Sequence, residues 1–352
     1  MKEFLKRIIT GKDHTKAGAL LKPVLALLSF IYAGAVALIH MLYCWGVLPS
    51  YRPKYPVISV GNITVGGVGK TPIVMFLAGL LRNKGFRPVV LTRGYMASAD
   101  AGVLASDEAI MMSERLDVPV MINPDRMVSA KNAEACSMGN IFILDDGFQH
   151  ERLKRDLDIV AIDATNAFGN GYLLPRGILR ESLAALTRAD LFILTKTDLG
   201  RVYVPGIRNV LERIKPGCVI VETIHAPVSV YDVGAEVHLP DLSSLEDRIV
   251  GVCAIGAPDA FESMLRREGS LIEKMFVFED HHLYAEEDVR CVVAFCHEKK
   301  IGKIVTTHKD AVKLRGFQKA FQGISLLVLE VEIKVVHGQA EFFARIDRCV
   351  NS

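Results

Sequence analysis

The chain has 352 residues, 50% of them hydrophobic, and a formal net charge of only +2 at pH 7. This length allows two domains, each with a substantial core. A net charge so close to zero excludes the broad basic field of a nucleic-acid-binding protein, so we expect no nucleic-acid partner.

The first predicted element is a long apolar helix near the N-terminus. From Val24 to Val47 the sequence contains no formally charged residue, and at about 1.5 Å per residue this segment can cross a bilayer core of ~30 Å. It is not followed by a small-residue cleavage site, which argues against a removable signal peptide. Membrane association is therefore the preferred interpretation. A helix buried in the core of the protein is the alternative.

Basic residues before this helix predict its orientation, because the positive-inside rule keeps them in the cytoplasm. A full crossing would then place the rest of the chain outside, where nucleotides are scarce. We therefore expect the helix to embed in the cytoplasmic leaflet or lie along it, with the basic arm on anionic headgroups. The basic residues are Lys2, Lys6, Arg7, Lys12, Lys16 and Lys22.

After Pro56 the sequence alternates between short β-branched runs and helical stretches. Helical periodicity is clear at 71–84, which Gly85 closes. The alternation predicts an α/β fold with a mostly parallel open sheet and helices on both faces. The predicted strands are PVISVGN, PVVLTRG, VPVMIN, IFILDDG, LDIVAIDA, DLFILTKTD and CVIVETI.

A second, shorter alternation follows a Pro- and Gly-containing stretch at 225–244, which reads as an irregular connection. We therefore predict three parts. Residues 1–50 form the basic arm and membrane-associated helix, 51–228 form the larger α/β domain, and 229–352 form a smaller α/β domain that closes over the active site. The strands predicted for the smaller domain are RIVGVCAIG, EKMFVFED, GKIVTTHKD and LLVLEVEIKV.

The loop in SVGNITVGGVGKTPIV (59–74) ends as a phosphate-binding loop does, but Thr64 replaces the first glycine of G-x-x-x-x-G-K-[ST]. Glycines let backbone N–H groups face an anion, and the following helix N-terminus adds partial positive charge. Lys70 would reach the β- and γ-phosphates and the Thr71 hydroxyl would bind Mg²⁺. A glycine turn without a ligand is the alternative, and it would need neither side chain. The predicted nucleotide site is Thr64, Val65, Gly66, Gly67, Val68, Gly69, Lys70 and Thr71.

A carboxylate for the magnesium ion is expected at the end of a neighbouring strand. Asp145 and Asp146 end the apolar run in IFILDDGFQH. Two adjacent carboxylates are costly to bury unless they meet a cation. We predict Asp145 as the metal ligand, although the pattern leaves open which of the two binds. A solvated turn is the alternative. The larger domain is thus predicted to be a P-loop NTPase domain.

Two kinds of nucleotide-dependent switch protein share parts of this pattern. Deviant loops with GGVGKT occur in cell-division and partition ATPases, but those carry a lysine before the paired glycines, where this chain has Val65. The motif TKTD (195–198) resembles the guanine-reading [NT]-K-x-D of GTPases, including metallochaperones. A polar strand end without a base-reading role is the alternative for TKTD. A membrane-associated switch ATPase or GTPase therefore remains a second candidate.

A third resemblance covers residues 55–315. The motifs GNITVGGVGKTP, LTRGY, SDEA, DDGFQH, GNGYLLPRGILRES, FEDHHLY and THKDAVKL occur in this order. Together they resemble the tetraacyldisaccharide 4′-kinase family of Gram-negative bacteria. The resemblance implies transfer of the ATP γ-phosphate to the 4′-hydroxyl of a tetraacylated glucosamine disaccharide 1-phosphate in lipid A biosynthesis. It implies ATP and Mg²⁺ as cofactors and the cytoplasmic face of the inner membrane as location.

The resemblance also implies roles for individual residues. Lys70 and Asp146 belong to the catalytic set, with Asp107 of SDEA as the base and Glu108 near the metal. His281 of FEDHHLY is paired with Asp146, and His282 serves as its control. For Asp107 a helix N-cap is the alternative, and His281 is otherwise a structural histidine. Substrate contacts are implied for a further set, in which surface or packing roles are the alternative for the arginines: Arg93, Tyr95, Arg126, Gln149, His150 and Arg180.

Overall fold

The computed structural model describes residues 7–9, 15–94, 112–113, 115–239, 242–280 and 282–351. These residues form two compact units. Unit 1 contains the described residues up to Gly94, then Leu116–Ile224 and the segment from Lys334. Unit 2 contains the described residues of 95–115 together with those of His225–Ile333.

Unit 1 is built on parallel strands in the order β7-β6-β5-β1-β4-β2-β3. The central strands are buried along their whole length, as expected for β-branched runs in a sheet covered on both faces. The strands are β1 (Val57–Asn62), β2 (Pro88–Thr92), β3 (Val120–Ile122), β4 (Ile141–Asp145), β5 (Leu157–Asp163), β6 (Leu191–Thr195) and β7 (Val219–Asp232). The residues of β7 from His225 onward belong to unit 2.

The helices of unit 1 are α1 (Lys16–Cys44), α2 (Lys70–Asn83), α3 (Arg126–Ala135), α4 (Val204–Ile214) and α8 (Gln339–Val350), with a 3₁₀ helix at Leu183–Arg188. Several of them bury apolar side chains against the sheet. Buried residues of β2 and β4 pack with α3, and those of β5 and β6 pack with α4.

Unit 2 repeats the α/β pattern on a smaller scale. Its parallel strands have the order β10-β9-β11-β12. They are β9 (Arg248–Cys253), β10 (Leu271–Val277), β11 (Lys303–Thr307) and β12 (Ser325–His337). The helices are α5 (Pro258–Arg267), α6 (Glu286–Lys299) and α7 (His308–Leu314), with 3₁₀ helices at Leu242–Leu245 and Arg315–Phe321. The predicted fold class, a P-loop NTPase-type parallel domain with a smaller α/β domain, is confirmed.

The expected irregular connection at 225–244 is wrong in its first part. Strand β7 continues to Asp232 and pairs antiparallel with β8 (Val237–Leu239). The turn between them is held by Asp232, whose carboxylate accepts hydrogen bonds from the backbone N–H groups of Gly234 and Ala235. Strand β7 also lies beside β12, which is remote in sequence, and Ser229 donates to Glu330 of that strand. Strand pairing therefore decides this segment, and its Pro and Gly content misleads.

The C-terminal helix α8 groups with unit 1, whereas the predicted division assigned residues 229–352 to the smaller domain. Phe342 is fully buried, and its ring lies 5.9 Å from that of Phe76 on α2. Lys84, at the end of α2, forms an ion pair with Asp347 at 2.6 Å. The last helix of the chain therefore packs against the helix that follows the glycine loop.

The apolar helix α1 starts at a capped end, since Thr15 Oγ1 accepts a hydrogen bond from the Gly18 N–H. It is long and apolar enough to cross a membrane. Of its 29 residues only Gly18, Leu25 and Ser29 are buried. A core helix would be buried over most of its surface, so the alternative interpretation does not describe α1.

Candidate active site

The glycine loop connects β1 to α2 at the carboxyl end of the parallel sheet, where ligands bind in such folds. Gly66 has φ +118° and Gly69, which precedes the helix, has φ +83°. Both values favour glycine and explain its presence there. Thr64, by contrast, is buried and forms a backbone bridge with Leu179. The position where the motif expects glycine is therefore occupied by a residue that anchors the loop.

Lys70, the first residue of α2, lies at the centre of a polar cluster. Its Nζ donates to Asn62 Oδ1 at 3.1 Å and lies 3.3 Å from Asp146 Oδ1. The same carboxylate accepts hydrogen bonds from Arg180, whose guanidinium nitrogen lies 3.1 and 2.9 Å from its two oxygens. The structure therefore joins three residues predicted from separate motifs.

Asp146 stays ionised in this cluster. Burial by itself would raise the pKa of its carboxyl group, but the charges of Lys70 and Arg180 and their hydrogen bonds outweigh burial and hold the pKa below its usual value. Its backbone has φ +50°, an uncommon conformation for a non-glycine residue. Asp146 is thus held in place as a permanent negative charge between two cations.

Asp145 ends β4, the strand next to β1, and is mostly buried. Its Oδ2 accepts a hydrogen bond from the Thr92 hydroxyl at 2.9 Å. Arg126 lies beside the two aspartates and is 7% exposed. It donates to the backbone oxygens of Pro124 and Asp146 at 3.2 and 3.4 Å. Burial lowers the pKa of Arg126, and the carboxylate of Asp146 opposes this shift.

The donor atoms at this edge of the sheet fit Mg²⁺. Thr71 follows Lys70 in the first turn of α2, and Asp145 ends the adjacent strand, so both supply the hard oxygen ligands that Mg²⁺ prefers. Among the described residues no group of three or more His, Cys, Asp or Glu side chains could hold a metal ion. Mg²⁺ is usually bound by one or two protein oxygens together with phosphates.

The middle two residues of the motif DDGFQH, Gly147 and Phe148, fix the loop after β4 by close packing. Phe148 is fully buried beside Gly61 of β1, where an added Cβ would lie only 2.5 Å from the Phe148 Cβ and N atoms. Gly147 passes equally close to Ser59, where an added Cβ would lie 2.6 Å from the hydroxyl oxygen. The two glycines allow β1 and this loop to approach, which places Asp145 and Asp146 beside the glycine loop.

Gln149 and His150 complete the motif. Gln149 Nε2 donates at 2.9 Å both to the backbone oxygen of Asn62 and to Glu181 Oε1. Glu181 in turn forms an ion pair with Arg188 at 2.9 Å. Burial, together with the charge of Arg126, lowers the pKa of His150 to about 4, so its imidazole is neutral at physiological pH.

The segment GNGYLLPRGILRES (169–182) lies against the glycine loop. The Val65 N–H donates to the Ile178 carbonyl at 2.8 Å, and the Arg180 N–H donates to the Ile63 carbonyl at 2.8 Å. Gly177 packs so closely that an added Cβ would lie 2.0 Å from the Tyr172 carbonyl oxygen. This backbone pairing directs Arg180 to Asp146.

Several of the predicted site residues meet in one cluster. Lys70, Asp146, Arg180 and Gln149 share hydrogen bonds, and Arg126 joins them through the Asp146 carbonyl. Arg93 lies near enough to Arg126 for its charge to lower the Arg126 pKa. Outside the described residues lie Tyr95, Asp107, Glu108 and His281, so their roles stay predictions.

Sequence reasoning missed Asn62 and Glu181. Asn62 is fully buried and contacts both Lys70 and Gln149. Its signal is a polar residue that ends an otherwise apolar strand directly before the loop. Glu181 stands within the recognised segment, and its partner Arg188 carries no pattern of its own. Finding that pair required the tertiary structure.

Comparison with known proteins identifies the family. The family model LpxK, tetraacyldisaccharide-1-P 4′-kinase, matches residues 21–351. The chain is 35% identical to the tetraacyldisaccharide 4′-kinase of Syntrophus aciditrophicus over 335 residues, which is 88% of this chain and 89% of that protein. The chain belongs to this family.

Further similarities agree with this assignment. The chain is 36% identical to the tetraacyldisaccharide 4′-kinase of Anaeromyxobacter sp. strain K, covering 94% of this chain and 91% of that protein. The crystal structure of the Aquifex aeolicus LpxK in complex with ATP matches with a TM-score of 0.75 at 28% identity, covering 94% of this chain and 99% of that one. The protein is therefore a kinase of lipid A biosynthesis, and the switch ATPase or GTPase alternative is not favoured.

Proposed function

We propose that this kinase transfers the γ-phosphate of ATP, with Mg²⁺, to the 4′-hydroxyl of a tetraacylated glucosamine disaccharide 1-phosphate at the cytoplasmic face of the inner membrane. The family supplies the reaction class, and the Aquifex aeolicus relative was solved in complex with ATP. The observation that carries the proposal is the charged cluster of Lys70, Asp146 and Arg180 beside the glycine loop.

The glycine loop is suited to the ATP phosphates because its glycines and the N-terminus of α2 present backbone N–H groups and positive charge to an anion. Lys70 would exchange part of its contact with Asp146 for the phosphates when ATP binds. Thr71 and Asp145 would hold Mg²⁺, which, when bound, offsets the charge that develops on the phosphate oxygens. In this arrangement Asp146 orients the lysine and Arg180.

The lipid headgroup is a phosphorylated sugar, so its recognition needs cations and hydrogen-bond donors. Arg180 and Arg126 provide guanidinium groups next to the loop, and Gln149 and neutral His150 lie on the same motif. We assign these four residues, with Arg93 and Tyr95, to the sugar and its phosphate. Asp107 as the base, Glu108 near the metal and His281 as a further catalytic residue complete the proposed set.

We further propose that α1 embeds in the leaflet and does not span the bilayer. Three of its side chains bind the rest of unit 1. Ser29 Oγ donates to the Leu173 carbonyl at 2.8 Å, Tyr32 OH donates to the Arg180 carbonyl at 2.9 Å, and His40 Nδ1 lies 2.7 Å from Glu151 Oε1. Ser29 to His40 covers about 16 Å of helix. A helix held along this length by a polar domain is unsuited to crossing the hydrocarbon core.

The remaining surface of α1 is apolar and open. Large side chains on it keep more than half of their surface exposed, which a soluble monomer rarely does over such a length. They suit the acyl region of a membrane and the acyl chains of the substrate. The residues of α1 above this level are Leu20, Val24, Leu27, Phe30, Ile31, Leu38 and Ile39.

The test is incubation of the purified full-length chain with ATP, Mg²⁺ and a lipid-linked glucosamine disaccharide 1-phosphate, with mass spectrometry of the lipid. A bis-phosphorylated product is expected. The Lys70→Ala variant should lose this activity because the contact with the phosphates is removed. The substitution also removes the hydrogen bond to Asn62 and the ion pair with Asp146, so the melting temperature is measured alongside to check that the fold is kept. Hydrolysis of ATP without the product would contradict the proposed reaction, and full activity of Lys70→Ala would contradict the loop assignment.

A further inference from the structure

The motif TKTD (195–198) is not used by the proposed reaction, yet it lies directly behind the glycine loop. Thr195 ends β6 and is fully buried. Its hydroxyl donates to the Val68 carbonyl at 2.8 Å. The next residue, Lys196, is 8% exposed, and its Nζ donates to the Gly67 carbonyl at 3.2 Å. Two consecutive side chains of one strand end therefore bind two consecutive carbonyls of the loop.

These contacts orient the loop's peptide groups. A trans peptide is planar, and its C=O and N–H bonds point in opposite directions. Binding the Val68 carbonyl towards β6 therefore turns the Gly69 N–H away from β6. Binding the Gly67 carbonyl fixes the preceding peptide plane, whose Val68 N–H donates to the Gly66 carbonyl at 3.2 Å within the loop. Because glycine has the widest conformational freedom, Gly66, Gly67 and Gly69 contribute little to fixing the orientation of the loop backbone.

Further contacts fix the position of the Lys196 ammonium group beside the glycine loop. Its ammonium group also binds the Asp163 carboxylate, and this carboxylate accepts hydrogen bonds from the N–H and hydroxyl of Thr165 at 2.9 and 2.6 Å. Burying a lysine is costly unless it is paired in this manner. Lys196 also adopts φ +55°, an unfavourable backbone conformation for a side chain of its size. Such costs persist where the surroundings fix the residue.

We infer that Thr195 and Lys196 are positioning residues that hold the carbonyl side of the glycine loop, so that its backbone, including the Gly69 N–H, is preorganised for the ATP phosphates. This inference rests on the proposed assignment of residues 64–71 to those phosphates. It gives TKTD a role in phosphate binding that does not require recognition of a guanine base.

The principal test is Thr195→Val, which removes the hydroxyl and keeps the β-branched shape. Loss of one hydrogen bond predicts a Kd for Mg·ATP, measured by calorimetry without lipid, that is about fivefold higher. The KM for the lipid should stay near wild type. The melting temperature should fall only as much as in a variant that loses a buried strand hydrogen bond elsewhere, because one buried carbonyl is left unpaired. Thr195→Ser restores the hydroxyl and should recover most of the ATP affinity.

The matched control is Thr223→Val. Thr223 is a buried strand threonine of β7 whose hydroxyl donates to the Leu194 carbonyl at 3.0 Å, away from the loop. Its loss should leave ATP affinity unchanged. Wild-type ATP affinity in Thr195→Val, or an equal loss in the Thr223→Val control, would overturn the inference.

Lys196 is tested with its counter-ion. Lys196→Met alone leaves Asp163 buried without its partner, so both the melting temperature and ATP affinity should fall. The double variant Lys196→Met/Asp163→Asn removes the buried charge and should recover the melting temperature but not the ATP affinity. Recovery of both would overturn the role of Lys196. Failure of the loop assignment itself would appear separately, as normal ATP binding by Lys70→Ala.

Discussion

Asp146 and Arg180 provide the most direct quantitative test of the proposed site. A guanidinium nitrogen of Arg180 lies 3.1 and 2.9 Å from the carboxylate oxygens, and the two side chains are 25% and 35% exposed for Arg180 and Asp146 respectively. At an effective dielectric constant of about 20, two charges ~3 Å apart attract by about 5 kcal/mol. Solvent screening and desolvation reduce this, and we expect a net coupling of about 1–2 kcal/mol.

The perturbation is a double-mutant cycle of Asp146→Asn and Arg180→Gln, read out as kcat/KM for ATP at saturating lipid. Each single variant should lose activity. If the two residues acted independently, the loss of kcat/KM in the double variant would equal the product of the two single losses. We expect the loss to be about 5- to 30-fold smaller than this product, which is the coupling energy expressed as a rate ratio. Lys70, at 3.3 Å from Asp146, loses its partner in both Asp146→Asn backgrounds, so this effect cancels in the cycle.

Arg176→Gln is the matched control. Arg176 lies in the same segment as Arg180, but its guanidinium stacks on the Tyr172 ring at 3.7 Å. It should show no coupling to Asp146→Asn. Melting temperatures of all variants check that the fold is kept. Strictly multiplicative losses for Asp146→Asn and Arg180→Gln would refute the conclusion that the two residues act as a unit.

Three further predictions concern the base, the N-terminal helix and the close approach of β1. Asp107→Ala should lower kcat far more than KM if Asp107 acts as the base, whereas a lower melting temperature with near-normal turnover would identify a helix cap. Deletion of residues 1–50 should release much of the protein from vesicles. ATP binding, measured by calorimetry, should be preserved because Tyr51 keeps its own pairing with Arg152. A folded truncation that cannot bind ATP would contradict this prediction. Gly61→Ala should destabilise the fold by about 1–3 kcal/mol in urea unfolding because the new Cβ meets backbone atoms of Phe148. Gly79→Ala lies in the open helical surroundings of α2 and should stabilise the fold by ~0.5–1 kcal/mol. Equal effects of the two glycine substitutions would show that packing at Gly61 is looser than described.

The local sequence determined the strands of unit 1 and the position of the glycine loop. PVISVGN, IFILDDG and LDIVAIDA each correspond to an observed strand within two residues at either end. Residue type and spacing act over a few positions, and strand, helix and turn preferences are properties of that range. The same local information placed Lys70, Thr71, Asp145 and Asp146 at the carboxyl end of the sheet.

Tertiary structure decided which distant residues meet. The pairing of Arg180 with Asp146, the anchoring of the glycine loop by Thr195 and Lys196, and the contacts of α1 with residues 173–180 all join segments that are remote in sequence. The placement of α8 against α2 and the continuation of β7 through residues 225–232 have the same origin. Each depends on the burial of side chains by partners from elsewhere in the chain, and no local preference encodes the identity of such a partner.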